Sequence, residues 1–318
     1  MTEKKLLVSI IVPVFNEAGV IEQIHARIAA VLDTLPHEVE IFYVDDGSSD
    51  QTDAALEALA AQDGRVHPLT LSRNFGHQAA LTAGLDHAAG DVIISMDGDG
   101  QHPPEMIPQM VELVRQGYDV VQAQRIEEDQ ALSFKKVTSE AFYWLINHIS
   151  GTPVRPGAAD FRALSRQALD ALKAMPEYHR FLRGMIAWIG FATIILPFHE
   201  PKRVAGKSKY SLGKMLRLAS DAIFSFSLMP LYIGLSVGGV FIILALAQII
   251  YVLVLWLTGQ YDKIVPGWSS LMAVLLIASG IIMILLGFIG VYVGYIFQQV
   301  KGRPVYLVKK ARDVESRE

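Results

Sequence analysis

Apolar positions along the first 125 residues follow two alternating rhythms. Short, nearly unbroken apolar runs occupy 6–14 (LLVSIIVPV), 38–46 (EVEIFYVDD), 67–72 (HPLTLS), 91–97 (DVIISMD) and 118–124 (YDVVQAQ). Between them, near 18–33, 50–62, 77–89 and 104–116, apolar residues recur with the spacing of one helix face. Strands that are apolar on both faces, each followed by a helix, predict an α/β fold built on a parallel sheet with helices on both sides. Ligands of such sheets bind beyond the carboxyl ends of the strands. The strand ends are where chemistry is expected.

Two later runs, 228–257 and 271–297, are apolar throughout and carry no charged residue. Crossing the hydrocarbon core of a bilayer takes about 20 residues of helix, so these predict a transmembrane hairpin over 228–298. Lys207, Lys209, Lys214 and Arg217 precede it, and Lys301, Arg303, Lys309, Lys310 and Arg312 follow it. The short link between the runs offers only Lys263, beside Asp262. The positive-inside rule places the flanking regions in the cytoplasm. The expected order is a cytoplasmic catalytic domain over 1–210, an amphipathic interfacial helix over 211–227, the hairpin, and a cytoplasmic tail over 299–318. The start of the chain, EKKLLVSIIVPV, imitates a secretory signal, but Pro13, Asn16 and Glu17 follow at once and favour a first strand. Two other stretches, SFKKVTSEAFYWLINHIS (133–150) and HRFLRGMIAWIGF (179–191), mix basic and aromatic residues. Such helices lie in a membrane interface or pack on the sheet.

Composition adds exclusions. Of the 318 residues 52% are hydrophobic, and the mean hydropathy is +0.33, high for a purely soluble protein. There is no cysteine, which removes disulfides and thiolate metal sites. A net charge of −4 argues against a general nucleic-acid binder.

The first strand ends VPVFNE without the G-x-G-x-x-G of a dinucleotide fold. Asn16 and Glu17 either accept hydrogen bonds from a base or ribose, or cap and open the next helix. Asp45 and Asp46 are adjacent acids that repel unless something binds them. Arg73 precedes a glycine and a helix start, where it meets a phosphate or stays solvated. His77 and His102 lack any metal-ligand spacing and read as polar loop residues. Asp97-Gly98-Asp99-Gly100 is a hairpin turn or a metal site. Pro103, Pro104 and a helical pattern follow instead of a second strand, which removes the hairpin. Two carboxylates one residue apart suit a single hard cation, Mg2+ or Mn2+, whose shell substrate phosphates complete.

Taken together, VSIIVPVFNE, VDDGSSD, SRNFGHQAAL and MDGDGQHPPE resemble the family 2 glycosyltransferases of the GT-A (Rossmann-like) fold. GAADFRALSR and RVAGKSKYSLGKM, followed by the hairpin, narrow the resemblance to polyisoprenyl-phosphate glycosyltransferases, which include dolichyl-phosphate mannose synthases and bacterial undecaprenyl-phosphate glucosyltransferases. It runs from residue 6 to residue 310, with one small departure: the family often has alanine or leucine at Gly98 and Gly100. The resemblance implies that Pro13, Asn16, Glu17, Asp45, Asp46, Arg73 and Asp97 bind the nucleotide sugar, and that Asp97, Asp99 and Gln101 hold the metal. It implies that Arg125, Lys135, Ser139, Arg203 and Lys209 grip the lipid phosphate, and that Asp160, Arg125, Arg203 and Lys209 serve catalysis. The implied reaction is one inverting displacement to undecaprenyl phosphate at the cytoplasmic face of the inner membrane, with UDP-glucose as the first choice of donor and GDP-mannose or a modified arabinose donor as the alternatives.

The chemistry agrees. A phosphate monoester has its second pKa near about 6, so the acceptor is already a nucleophile and no strong base is needed. A processive polysaccharide synthase would need a Q-x-x-R-W motif, which is absent. A non-catalytic membrane scaffold is the other alternative. Gly234, Gly238, Gly239, Gly287, Gly290 and Gly294 would let the hairpin pack against copies of itself in a homo-oligomer.

Overall fold

The computed structural model describes residues 5–126, 158–199, 229–259 and 267–311. Contacts divide the chain into two units, residues 1–219 with 303–318, and residues 220–302.

In the first unit, β1 (Leu7–Val14) lies at the centre of the sheet, and every residue from Val8 to Val14 is buried. Its parallel neighbours are β2 (Glu38–Asp45) and β4 (Val92–Ser95), and β3 (Val66–Leu71) runs parallel beside β2. A strand flanked on both sides and covered on both faces needs the unbroken apolar run that the sequence shows. The expected strands and helices are present with shifted ends: α1 is Ile21–Leu32, α2 is Thr52–Gln62 and α3 is His77–His87. A 3-10 turn at Pro104–Met106 leads into α4 (Ile107–Arg115). Helix α1 buries Ile21, Ile24, Ile28 and Leu32, the spacing of one face.

The sheet is mixed, not parallel as expected. Its order is β7-β5-β6-β4-β1-β2-β3-β8. β5 (Val120–Arg125) pairs parallel with β7 (Thr193–Phe198), while β6 (Ala158–Ser165) runs antiparallel between β4 and β5. β6 therefore begins at the edge where β4 and β5 end. Helices α5 (Arg166–Lys173) and α6 (Leu182–Trp188) follow it. Helix α6 buries Leu182, Met185 and Ile186 and leaves Trp188 66% exposed, so this stretch packs into the domain. Within the expected cytoplasmic tail, residues 308–311 supply β8 (Val308–Ala311), antiparallel to β3. Lys310 pairs with Glu57 at 2.9 Å, and the Tyr306 hydroxyl reaches Asp86 at 3.1 Å.

Ser9 and Glu40, two buried polar side chains inside the sheet, match each other. Ser9 Oγ donates to Glu40 and accepts from the Gly90 amide, and Glu40 also accepts from Ala89 N–H. The second unit holds α7 (Met229–Leu257) and α8 (Trp268–Val300), close to the expected spans. Ile277–Val300 is long and apolar enough to cross a membrane. Ile243, Leu244, Met283 and Ile284 are each more than half exposed, a surface that water does not favour. Gly234 faces Leu285 of α8, so that glycine serves contact within the chain. The expected interfacial helix at 211–227 and the stretch 133–150 lie outside the described residues.

Gly84 lies in the middle of α3, where alanine would ordinarily stabilise a helix by about 1 kcal/mol. A Cβ there would overlap the buried Ile11 side chain and crowd Val44. Gly84→Ala is expected to destabilise the protein by about 1–3 kcal/mol, because overpacking outweighs propensity. The thermal midpoint of the purified protein in detergent checks this, and a rise would contradict it.

Candidate functional site

The ends of β1, β2, β3 and β4 and the start of β6 meet at one edge of the sheet. Asn16 follows β1 in the left-handed region (φ 53°), a conformation that asparagine tolerates. Its amide donates to Ser48 Oγ and its Oδ1 accepts from Ser49 N–H, both at 2.9 Å. Glu17 N–H donates to Thr52 Oγ1 at 3.0 Å. These bonds tie the loop after β1 to the loop after β2. The capping alternative for Asn16 is not what forms, since α1 starts at Ile21 with Val20 before it. Pro13 is held in register opposite Val44.

Asp45 and Asp46, both buried, are satisfied by the protein itself. Asp45 accepts from the amide and hydroxyl of Ser48, and Asp46 from the amides of Phe75 (2.7 Å) and Gly76 (3.0 Å). Burial raises both carboxyls above the usual range, against the pull of those bonds. Each carboxyl is held by its own set of donors, and the charge of Asp45 still raises Asp46. Arg73 is exposed and lies over the Phe75 ring, 4.3 Å from its centroid.

Beyond β4, Gly98 lets the Asp97–Asp99 turn press on the end of β1. A Cβ there would come within 2.8 Å of Val14 and 3.1 Å of the Pro13 carbonyl. Asp99 Oδ1 accepts from Gln101 N–H at 3.0 Å, which folds the turn back on itself. Asp97 N–H donates to Nδ1 of His102 at 2.8 Å. That bond places the proton of a neutral His102 on Nε2, which stands 3.6 Å from Asp97 Oδ2. The His102 ring is buried, stacked on Phe161 at 5.1 Å and edge-on to Phe198. His77 opens α3, and its Nε2 lies 3.5 Å from both Asp97 Oδ1 and Asp160 Oδ2. His102 lies in a loop as expected, although buried, whereas His77 is the first residue of α3. Partial desolvation would lower the His77 pKa, but Asp160 and Asp97 outweigh it and raise it to about 9.

Asp160, near the start of β6, is 6% exposed. Arg162 Nη2 and Arg183 Nε donate to its Oδ1 at 2.6 and 3.0 Å, and Arg183 Nη2 to its Oδ2 at 2.8 Å. Burial alone would raise this carboxyl; Arg183, His77 and Arg162 hold it well below the usual range. Arg162 and Arg183 escaped the sequence reading because no spacing marks them. Arg125 ends β5 at the same edge of the sheet and is exposed. Lys135, Ser139, Arg203 and Lys209 lie outside the described residues.

Among the described residues no group of three or more histidines and acids forms a metal cage. The residues present nevertheless fit a hard divalent ion. Asp97 Oδ1 is buried and has no hydrogen-bond partner, and Asp99 sits two residues on. Such an ion takes one or two carboxylates and completes its shell with water and substrate phosphate.

Residues 9–172 match the family described as Glycosyl transferase family 2. The chain is 38% identical over 310 residues to the glycosyltransferase YkcC of Bacillus subtilis (strain 168), covering 97% of this chain and 95% of the relative. It is also 38% identical over 308 residues to the SfII prophage-derived bactoprenol glucosyl transferase of Shigella flexneri, covering 96% and 98%. Among solved structures, the mannosyl-3-phosphoglycerate synthase of Rubrobacter xylanophilus aligns over 69% of this chain and 72% of its own, with a TM-score of 0.49 at 17% identity. With a family match over half of its length and relatives of this identity along nearly all of it, the chain belongs to glycosyl transferase family 2 and is a glycosyltransferase of the GT-A fold.

Proposed function

We propose that the protein transfers a hexose from a nucleoside diphosphate sugar, UDP-glucose first, to a polyisoprenyl phosphate in the membrane, with undecaprenyl phosphate as the favoured acceptor. The observation that carries this is Asp97 Oδ1, a buried carboxylate oxygen without a hydrogen-bond partner at the edge where the loops converge. The name of the Shigella flexneri relative, bactoprenol glucosyl transferase, supports the acceptor and the glucosyl group.

Asp97, Asp99 and Gln101 would hold Mg2+ or Mn2+. When bound, the ion offsets the charge that develops on the departing diphosphate. The chain's own task is positioning. The bonds of Asn16, Asp45 and Asp46 fix three loops around the nucleotide pocket, to which Pro13, Glu17 and Arg73 also belong. Arg125, with Lys135, Ser139, Arg203 and Lys209, would bring the lipid phosphate against the donor and overcome the repulsion of two anions. The phosphate oxygen then attacks the anomeric carbon, and the carbon–oxygen bond to the diphosphate breaks with inversion.

Membrane attachment is proposed through the hairpin of 228–257 and 271–297. The chain leaves the sheet domain before α7, and after α8 it supplies β8 to the same sheet. Both outer ends of the hairpin therefore belong on one side, and the surrounding lysines and arginines make that side cytoplasmic.

Three outcomes test this reading. Purified protein given a panel of labelled nucleotide sugars and undecaprenyl phosphate should yield lipid-linked glucose from UDP-glucose; no lipid-linked product from any donor would refute the transfer. Asp97→Ala and Asp99→Ala should each lower turnover at least about 10²-fold and weaken Mn2+ binding read by electron paramagnetic resonance, the scale of a lost metal-dependent electrostatic contact. Wild-type Mn2+ affinity in both variants would contradict the metal site. Because the chain has no cysteine, a single Asp262→Cys label reports topology. It should react with a membrane-impermeant thiol reagent in intact cells, whereas Glu315→Cys should react only after lysis.

A further inference from the structure

Both oxygens of Asp160 are already engaged inside the protein. Arg183 holds them in a two-point fork, Nε to Oδ1 and Nη2 to Oδ2, and Arg162 adds a third bond to Oδ1. Ser95 Oγ donates to the Asp160 carbonyl at 2.8 Å, so the backbone is pinned as well. A carboxylate held in this way has no free position from which to approach an incoming phosphate. That phosphate, with its second pKa near about 6, has no proton that must be removed at neutral pH. What Asp160 does face is His77, whose Nε2 lies 3.5 Å from Asp160 Oδ2 and 3.5 Å from Asp97 Oδ1.

The two arginines differ. Arg162 is 2% exposed on the same strand and also donates to the Ala159 carbonyl. Arg183 is 23% exposed and comes from α6, a separate segment, so its fork locks that helix to the start of β6. Planar two-point pairing fixes a carboxylate in angle as well as distance, which a lysine at the same place could not do.

We infer that Arg183 is a positioning residue for sugar transfer: it fixes Asp160, and through Asp160 the His77 imidazole beside Asp97, while Asp160 takes no proton in the reaction. This rests on the transfer proposed above. The competing role, Asp160 as the base that deprotonates the acceptor, predicts a much larger kcat loss in Asp160→Asn than in Arg183→Met. Positioning predicts comparable losses of about 10²-fold, and the larger loss would overturn the inference.

The test is a double-mutant cycle with Arg183→Met, Asp160→Asn and the pair together, using full-length protein in detergent with UDP-glucose, Mn2+ and undecaprenyl phosphate. Misplacement of about 1 Å near a reacting centre costs about 10²-fold. Arg183→Met is therefore expected to lower kcat about 10²-fold while the KM for the donor changes less than about threefold. If Arg183 acts through Asp160, the double variant is no slower than the slower single variant. Losses that multiply to about 10⁴-fold would overturn the inference, as would wild-type kcat in Arg183→Met. Added guanidinium ion should restore turnover to Arg183→Met and leave the double variant unchanged; restoration of both would also overturn it. Thermal midpoints and UDP binding are matched to wild type first. Should Arg183→Met not fold, Arg183→Lys carries the same comparison, with full activity counting against the inference. Wild-type protein that moves no sugar to the lipid sinks the proposed function itself; active wild-type protein leaves the decision to the variants.

Discussion

Carboxylates placed where water is scarce must meet amides or cations, and one edge of this sheet gathers four of them. Asp45 and Asp46 take backbone amides from the loops beside them, Asp160 takes two guanidinium groups, and Asp97 Oδ1 accepts no hydrogen bond but lies 3.5 Å from His77 Nε2. Each solution has a structural effect. The amide bonds tie three loops into a rigid rim, and the guanidinium pairs fasten α6 to β6. Asp97 Oδ1, which accepts no hydrogen bond, is the place where an added positive charge would gain most, although His77 already stands 3.5 Å from it. Rigidity around it means that a cation and its phosphate ligands would meet a preformed position.

The two histidines show how neighbouring packing chooses a role for a residue type that is ambiguous by itself. His102 is sandwiched among Phe161 and Phe198, and its one remaining freedom, the tautomer, is set by the amide of Asp97. His77 is 42% exposed and lies between two acids, which keep its proton. One imidazole is therefore a packed prop and the other an acid-flanked group at the rim of the site.

Much of the sheet could be read in advance because β1 to β5 carry apolar runs that only a doubly covered strand explains. Direction could not be read, since alternation and burial look the same in a strand running either way. β6 was hidden for a further reason: Asp160 and Arg162 sit inside it as a buried pair, and charges in a short segment resemble a loop. β8, with Lys309 and Lys310 in four residues, has the composition of a protected edge and carries no apolar signal. At the site, the Asp97–Asp99 turn was legible as something other than a hairpin, because prolines and a helix follow it. Asp45 and Asp46 were legible as a place of charge stress, but not in how the stress is relieved. Arg162, Arg183, His77 and His102 become partners only through folding, and no interval between them in the chain announces it.

The last strand sets a schedule. β3 and β8 are separated by roughly 240 residues of chain, and both apolar helices lie between them. At about 5–20 residues per second, the ribosome needs roughly ten to fifty seconds to supply β8 after β3 has emerged. Throughout that interval the β3 edge presents open amides and carbonyls, a surface that invites pairing with another chain. The sheet can be closed only after both apolar helices have been synthesised, so the catalytic half of a newly made chain is completed last, from its far end.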